Sequence, residues 1–185
     1  MFSTVYPPSP ENSWIKGFPN VKRRLILVVW GEVGQSGESQ YGRVWHMFLG
    51  EYQHSVDGKG RIAIPARFRP KIERGAVMTR GVDTCLYVYP MDIWEQKARA
   101  LDAAVLDPRQ RRLVERRFFG MAYELELDAQ GRIVIPTRFR QYAELNGDAT
   151  VVGARDRFEI WSTTHWEAYT TQMATEDLGE LVLPF

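Results

Sequence analysis

The sequence predicts an α+β fold, mainly β, built from two tandem copies of one small unit. A thirteen-residue segment occurs twice, at residues 57–69 and 128–140, with nine identical positions. The offset of 71 residues is too long for a solenoid repeat and fits a duplicated small domain. Each copy is followed by the same series of short apolar segments and one closing helix. Because four short strands per unit cannot form a stable isolated sheet, we expect the two units to pair into a closed β-barrel that hides their edges.

The first unit is predicted to contain four strands and a short helical segment. The strands cover residues 48–55, 61–64, 76–80 and 86–89. A tight turn is predicted over residues 57–60, because its two glycines supply positive φ at low cost. Ile62 and Ile64 alternate onto one face of the second strand. Pro65 predicts the start of the helical segment over residues 66–72.

The second unit repeats this order. Its strands are predicted over residues 121–127, 132–135, 149–153 and 158–161, with a short helix over residues 137–145. Longer helices are predicted over residues 91–101, from 108 to about 119, and over 163–173. Trp94 and Trp166 occupy equivalent positions in the helices that close the two units. We expect both of them, together with Trp161 and the single cysteine, Cys85, in the core.

The charge distribution constrains the partners of the chain. With 24 Lys and Arg against 23 Asp and Glu, a nucleic-acid binder of this composition must gather its arginines on one face. The sequence suggests such a gathering at Lys59, Arg61, Arg67 and Arg69, and again at Arg132, Arg138 and Arg140. One cysteine excludes an internal disulfide and fits a reducing, cytoplasmic compartment. The longest apolar stretch, residues 25–30, is too short to cross a membrane.

These motifs resemble those of the MraZ family of bacterial transcriptional regulators, which contain two tandem AbrB-like domains. The resemblance covers about residues 47–175: the opening Met-Phe-Leu-Gly-Glu-Tyr, both Asp-x-x-x-Arg turns, both Ile-Pro-x-Arg-Phe-Arg runs and the arginine-rich helix between them. It implies a pseudo-twofold swapped-hairpin β-barrel with flanking helices and a homo-oligomeric ring. It also implies binding to double-stranded DNA at short promoter direct repeats, upstream of the family's own division and cell-wall gene cluster, on the nucleoid.

The resemblance assigns DNA contact to the Asp-x-x-x-Arg motif. By motif match the residues are Asp57, Lys59, Arg61, Asp128 and Arg132. An arginine that begins a strand after a tight turn can pair bidentately with guanine O6 and N7, and the aspartate four residues earlier can orient its guanidinium. Lys59 and the turn amides can meet phosphates. Gln130 replaces this lysine in the second copy, so that turn is less basic.

Some residues carry structural alternatives. Asp57 could only cap its turn, with Arg61 paired to it and to nothing else. Four further arginines could either rim the DNA face or bridge protomers: Arg67, Arg69, Arg138 and Arg140. The arginines of the helix over residues 108–119 read as a solvated or inter-protomer face.

Two other classes of function compete with DNA-binding regulation. AbrB-like domains also serve as protein-interaction scaffolds and as the antidote half of toxin pairs, without a regulon of their own. An enzyme is not expected, because His46, His54 and His165 are scattered without metal-ligand spacing. No phosphate loop, nucleophile motif or paired carboxylates are visible either. We therefore expect no metal, no cofactor and no small-molecule substrate.

The predicted domain boundaries follow the repeat. Two AbrB-like domains are expected over residues 51–94 and 122–166, with a helical connector over 95–121, and a helix end and tail over 167–185. Residues 1–46 lack sustained periodicity and are predicted to be a disordered extension. Because members of the resembled family typically begin at the Met-Phe-x-Gly found at Met47, these residues are interpreted as leader sequence translated from an early start codon.

The leader interpretation suggests an operator. Trp30 and the following glycine must be encoded TGG-GGN, and the pairs at Val33 and Ser36 can also encode TGGG. The three words then begin at nucleotides 88, 98 and 108 of the reading frame. A ten-nucleotide spacing places all three on one face of the duplex, about one helical turn apart, where a ring of protomers could read them.

Overall fold

The structure, a computed structural model, describes residues 47–175. The predicted extension over residues 1–46 and the tail after residue 175 lie outside the described residues. The strands are β1 (Glu51–Ser55), β2 (Arg61–Ala63), β3 (Ala76–Arg80), β4 (Leu86–Pro90), β5 (Tyr123–Leu125), β6 (Arg132–Val134), β7 (Asp148–Ala154) and β8 (Arg157–Ser162). The helices are α1 (Met91–Ala103), α2 (Pro108–Phe118), α3 (Thr137–Tyr142) and α4 (Thr163–Thr175), and a 3₁₀ helix covers Arg69–Ile72.

The short helical segments of the two units differ. The sequence predicts a helical segment over residues 66–72 and a short helix over 137–145. The first unit has only the 3₁₀ helix at Arg69–Ile72, whereas the second has the α-helix Thr137–Tyr142. The position of Pro70 in the first unit is taken by Gln141 in the second. Proline lacks the N–H that an α-helix needs and disfavours helical geometry at the residue before it. A single substitution between the copies therefore accounts for the different helix types.

The two units interleave in one antiparallel sheet of six strands. Its order is β1-β7-β8-β4-β3-β5, and β2 and β6 form a separate pair. Strand β1 of the first unit pairs with β7 of the second, while β5 of the second pairs with β3 of the first. The order is unchanged when the units are exchanged, so the arrangement has pseudo-twofold symmetry. The predicted α+β class and the two-unit organisation are confirmed.

The predicted closure into a barrel is not observed among the described residues. The six-stranded sheet ends at β1 and at β5, and β2 and β6 pair only with each other. One isolated bridge, between Val56 and Ile62, joins the end of β1 to β2. No ladder joins β5 to β6 among the described residues, so both gaps remain open. The result is an open sheet covered by a two-stranded ribbon.

One core lies between the sheet and the ribbon. The predicted inward residues of the ribbon, Ile62 and Ile64, are fully buried, and so are their equivalents Ile133 and Ile135. Fully burying such a side chain stabilises the fold by roughly 1.5–3 kcal/mol. Three phenylalanine rings with centroids 5.0–5.6 Å apart fill the same core: Phe48, Phe68 and Phe158. Both units therefore supply the residues that hold the ribbon on the sheet.

A second core lies against helices α1, α2 and α4. Trp94 stacks on Phe118 with ring centroids 4.0 Å apart, and Trp161 is buried, as predicted. Trp166 is half-buried and packs against Trp161 at 5.4 Å. Cys85 is fully buried, and burial raises the pKa of its thiol, which fits the predicted role of an inert core residue.

The second core also contains charges that sequence reasoning did not foresee. Arg157 Nε donates to Glu159 Oε1 at 3.0 Å, and Trp161 Nε1 donates to Glu159 Oε2 at 3.0 Å. Lys97, with a side chain only 5% exposed, pairs with Asp156 at 3.2 Å. Buried charges persist where they are paired and hydrogen-bonded. The Lys97–Asp156 pair joins helix α1 of the first unit to the turn before β8 of the second, whereas the hydrogen bonds of Glu159 lie within β8. No helix within residues 47–175 is long and apolar enough to cross a membrane.

Candidate nucleic-acid interface

The ribbon of β2 and β6 ties the two repeated turns together. Ile64 N donates to Gly131 O at 2.9 Å, and Ile135 N donates to Gly60 O at 2.7 Å. Each turn is therefore hydrogen-bonded to the strand of the opposite unit. The two Asp-x-x-x-Arg motifs, which are distant in sequence, therefore lie at the two ends of one short ribbon, with Arg61 and Arg132 two ladder positions apart.

In the first turn the aspartate organises both backbone and side chain. Asp57 Oδ1 accepts hydrogen bonds from the amides of Lys59 and Arg61, both at 2.9 Å. Arg61 Nε donates to Asp57 Oδ2 at 2.7 Å, and Arg61 Nη2 lies 2.7 Å from the same oxygen. The side-chain hydrogen bond from Arg61 lowers the pKa of Asp57 to about 2. The carboxylate is therefore ionised, and the guanidinium held, at neutral pH.

The second turn has the same geometry. Asp128 Oδ1 accepts from the amides of Gln130 and Arg132 at 2.9 Å each. Arg132 Nε and Nη2 both lie 2.8 Å from Asp128 Oδ2. The pKa of Asp128 is lowered, principally by the backbone hydrogen bond from Arg132. The duplication therefore preserves the whole hydrogen-bonded turn and not only its sequence.

Only one glycine in each turn needs its conformational freedom. Gly60 has φ of +78° and Gly131 has φ of +72°, a region that other residues occupy at a cost. Gly58 does not have a positive φ. The prediction that both glycines of the first turn supply positive φ therefore holds for Gly60 alone. This explains why alanine, Ala129, replaces Gly58 in the second copy while Gly60 remains glycine there.

Two of the repeated arginines brace the opposite turn. Arg69 Nε donates to Ile64 O at 2.8 Å, and Arg140 Nε donates to Ile135 O at 3.1 Å. A Cβ on Gly131 would come within 2.4 Å of the Arg69 guanidinium, and one on Gly60 within 2.9 Å of Arg140 Nε. Each guanidinium therefore lies against the glycine of the other unit's turn, and both side chains are half-buried. The contacts of Arg69 with Gly131 and of Arg140 with Gly60 therefore join the two units within one chain.

The outward face of the ribbon carries the two paired arginines. The register places Arg61 opposite Val134, and Arg132 opposite Ala63. Because alternate residues of a strand share a face, these four side chains lie on one side and the buried isoleucines on the other. The Arg61 and Arg132 side chains are 31% and 26% exposed. A guanidinium has five N–H donors, so pairing with aspartate through Nε and Nη2 leaves three on the two Nη nitrogens.

The remaining candidate residues are exposed and more dispersed. Lys59 and Gln130 are exposed in the two turns. The amides of Lys59, Gly60 and Arg61 all donate within the turn, so these three are not available for the predicted phosphate contact. Arg67 is exposed, whereas Arg138 Nη2 donates to Ala122 O at 3.3 Å beside the start of β5. Within residues 47–175, no group of three or more His, Cys, Asp or Glu is arranged to hold a metal ion.

Helix α2 presents arginines away from the ribbon motifs. It begins with a capping box, in which Asp107 accepts from the amides of Arg109 and Gln110 at 2.8 and 2.9 Å. Arg109, Arg112 and Arg116 are exposed, in line with the predicted solvated or inter-protomer face.

One outward residue of the ribbon was not singled out from the sequence. Val134 is 49% exposed, although it is apolar and lies opposite Arg61. Its equivalent in the first copy is Ala63. Strand alternation between the buried Ile133 and Ile135 already predicts that Val134 points outward. Comparing the two copies position by position would therefore have identified it.

The chain matches a known family over both units. The family is described as "MraZ protein, putative antitoxin-like", and it matches residues 47–117 and again residues 118–181. A protein named Transcriptional regulator MraZ from Lactiplantibacillus plantarum is 43% identical over 141 residues, covering 75% of this chain and 100% of that protein.

Other relatives carry the same name. The protein from Desulfitobacterium hafniense is 49% identical over 129 residues, covering 68% of this chain and 88% of that protein. The protein from Moorella thermoacetica is 46% identical over 144 residues, covering 75% of this chain and 99% of that protein. These names are those of transcriptional regulators and not of enzymes. The family matches each of the two repeated units, and these relatives are 43–49% identical over 88–100% of their own length. The chain therefore belongs to the MraZ family.

Proposed function

We propose that this chain is a DNA-binding transcription regulator that inserts the β2–β6 ribbon into the major groove. The groove is wide enough for a two-stranded β-ribbon. The observation that carries the proposal is the pair of Asp–Arg turns on one outward face, related by pseudo-twofold symmetry. Neither core contains the arginines of this outward face, so packing alone does not explain why the face is charged.

The aspartates orient the arginines for base recognition. Because Asp57 engages Nε and one edge of Nη2, the end of the Arg61 guanidinium remains as a fork of two Nη donors. Such a fork matches guanine O6 and N7, and a bidentate pair is worth about 1–3 kcal/mol of discrimination. The same geometry at Asp128 prepares Arg132 in the same way. Asp57 caps its turn through Oδ1 and holds Arg61 through Oδ2, so capping does not prevent it from orienting the arginine.

The other repeated cations divide into two groups. Lys59 is exposed in its turn and contacts phosphate, which strengthens binding without reading sequence. The exposed Arg67 and Arg138 supply further contacts at the rim. Arg69 and Arg140 act mainly inside the chain, because their guanidinium groups hold the two turns in register. The DNA contacts predicted for these two residues stay predictions beside this supporting role.

We further propose that protomers assemble, as a ring, on short direct repeats of the TGGG type upstream of the chain's own division and cell-wall gene cluster. Relatives named as transcriptional regulators support the regulatory role. We propose that the protein performs this role in the cytoplasm, on the nucleoid. Several weak contacts acting together would give the affinity that one ribbon lacks. Residues 47–175 contain both cores, so residues 1–46 should be dispensable for folding and binding.

A gel-shift experiment tests this proposal. A duplex with three TGGG words at ten-base spacing should bind much more tightly than one at thirteen, in which each word is rotated by roughly a further 100°. The full chain and a chain beginning at Met47 should behave alike. Indifference to spacing would refute the assembly on repeats, and loss of folding without residues 1–46 would refute the leader proposal.

The second candidate function is that of an antidote-type or scaffold protein without its own regulon. The antitoxin-like wording of the family description favours it. It predicts a stable complex with a protein partner and no salt-dependent, sequence-specific shift of the repeat duplex. The gel shift therefore separates the two candidates.

A further inference from the structure

Val134 is an apolar side chain in the middle of the charged ribbon face. It is 49% exposed and lies opposite Arg61, while its neighbours along the strand point into the core. The position is duplicated, and the first unit has Ala63 there. An exposed valine flanked by paired arginines calls for an apolar contact inside an otherwise polar interface.

The ladder places Val134 close to the arginine fork. The hydrogen bond from Ile135 N to Gly60 O flanks the Arg61–Val134 pair, which makes it a non-hydrogen-bonded pair of the antiparallel ladder. In such pairs the side chains lie closest, with Cβ atoms roughly 4.5–5.5 Å apart. Adjacent bases along a DNA strand are about 3.4 Å apart. Two side chains at this distance can therefore address neighbouring bases.

We propose that Val134 contacts the 5-methyl group of a thymine adjacent to the guanine bound by Arg61. Thymine is the only base that presents a methyl group in the major groove, and an apolar side chain is the group that recognises it. This inference rests on the proposed DNA-binding function and adds a second read base to it. The ligand at the exposed valine is DNA, because Arg61 lies opposite it and Arg132 lies two residues before it on the same face. Each of these arginines keeps three N–H donors beyond its pair with aspartate.

The asymmetry between the two units gives the proposal a further consequence. A pseudo-twofold reader should favour palindromic sites, because the symmetry of the site mirrors that of the protein. Valine in one unit and alanine in the other breaks that symmetry on the contact face. The Arg61–Val134 pair then reads a thymine–guanine step, whereas the shorter side chain of Ala63 reaches less far toward a methyl group beside the guanine of Arg132. A site read by this asymmetric face therefore has a direction, as each word of a direct repeat does.

Replacement of thymine by deoxyuridine tests the contact, because it removes the methyl group and leaves base pairing unchanged. The probe is the full chain with the duplex of three TGGG words at ten-base spacing. Deoxyuridine in a word should weaken binding about fourfold per substituted word, the value of one buried methyl-sized group. Deoxyuridine in the spacers is the matched control and should have no effect.

Protein variants locate the contact on the ribbon. V134S should bind thymine and deoxyuridine duplexes equally, and A63S should keep the fourfold preference for thymine. If V134S fails to fold, V134T takes its place as the test variant. V134T retains the branched shape and one methyl group, so its preference for thymine should fall to about twofold. Circular dichroism checks each fold.

The outcomes separate this inference from the function on which it rests. Salt-dependent binding by the wild-type chain with equal affinity for thymine and deoxyuridine overturns the Val134 contact and leaves the proposed function standing. Retention of the full preference in V134S, or loss of it in A63S, also overturns the contact. Absence of sequence-specific binding to any of these duplexes refutes both.

Discussion

The two Asp–Arg turns share their internal hydrogen bonds and differ only on their outward side. In both, one aspartate oxygen accepts two turn amides at 2.9 Å, and the other accepts the arginine at 2.7–2.8 Å. In both, the conserved backbone freedom lies at one glycine of positive φ, Gly60 or Gly131. The outward residues have changed from Lys59 and Ala63 in the first unit to Gln130 and Val134 in the second.

This contrast separates support from recognition within one motif. The inward hydrogen bonds are needed for each turn to hold its arginine and to pair with the opposite strand, so changes there cost stability. The outward side chains of Lys59, Gln130 and Val134 are exposed, so they can change at less cost to the fold. Two copies of one framework can then make different contacts with a ligand.

The largest effect is expected from removing the oriented arginines. Arg61→Ala should abolish specific DNA binding, because loss of a bidentate guanine contact costs about 1–3 kcal/mol per protomer and the loss multiplies across an assembly. Arg132→Ala should weaken binding as well. Gel shift and circular dichroism measure affinity and fold.

A matched control for these variants is Arg99→Ala. Arg99 lies on α1, is 68% exposed and pairs with Glu95 at 3.6 Å. Its loss should leave specific binding unchanged. Unchanged affinity in Arg61→Ala would mean that the pairing with Asp57 is the whole role of that arginine.

Alanine in place of the positive-φ glycines of the turns should lower the stability of the fold. Gly60→Ala and Gly131→Ala should each destabilise the fold by about 1–3 kcal/mol, from strain at positive φ and displacement of the bracing arginine. Gly58→Ala is the control, because nothing lies within 4 Å of its added Cβ. Urea unfolding measures the difference. An equal loss at Gly58 would show that the turns are not held through Gly60 and Gly131.

A smaller effect should separate the outward cations of the two turns. Lys59→Ala should reduce the slope of log affinity against log salt by about 1 for each engaged phosphate contact. Gln130→Ala should leave the slope unchanged, since an amide releases no counterion. Binding titrations over a range of salt concentrations give both slopes. Equal slopes for the two variants would argue against a phosphate contact at Lys59.

The smallest effect concerns pH. The pKa of Asp57 is lowered to about 2 by its hydrogen bonds with Arg61. A lowered aspartate pKa means that the turn pairing is fully present above about pH 4 and is lost as the pH falls through about 2. Carboxyl NMR titration should show this midpoint for Asp57, and Arg61→Gln should move it upward. A wild-type midpoint near 4 would contradict the pairing in solution.

The sequence by itself determined the duplication, the order of strands and helices, and the inward faces of the ribbon. These follow from local rules: alternation buries Ile62 and Ile133, glycine supplies positive φ, and proline starts helical segments. The Asp57–Arg61 pairing is also local, because its members are four residues apart. Even the 3₁₀ form of the first short helix follows from Pro70.

The tertiary structure decided whatever depends on how the two units meet. Barrel closure depends on long-range pairing at two gaps: the end of β1 meets β2 at a single bridge, between Val56 and Ile62, and no ladder joins β5 to β6 among the described residues. Arg69 and Arg61 are the same residue type eight positions apart, yet only pairing between units places Gly131 against Arg69. The same pairing puts Val134 beside Arg61. Such contacts join residues about 70 positions apart, and neither periodicity nor propensity carries information over that distance.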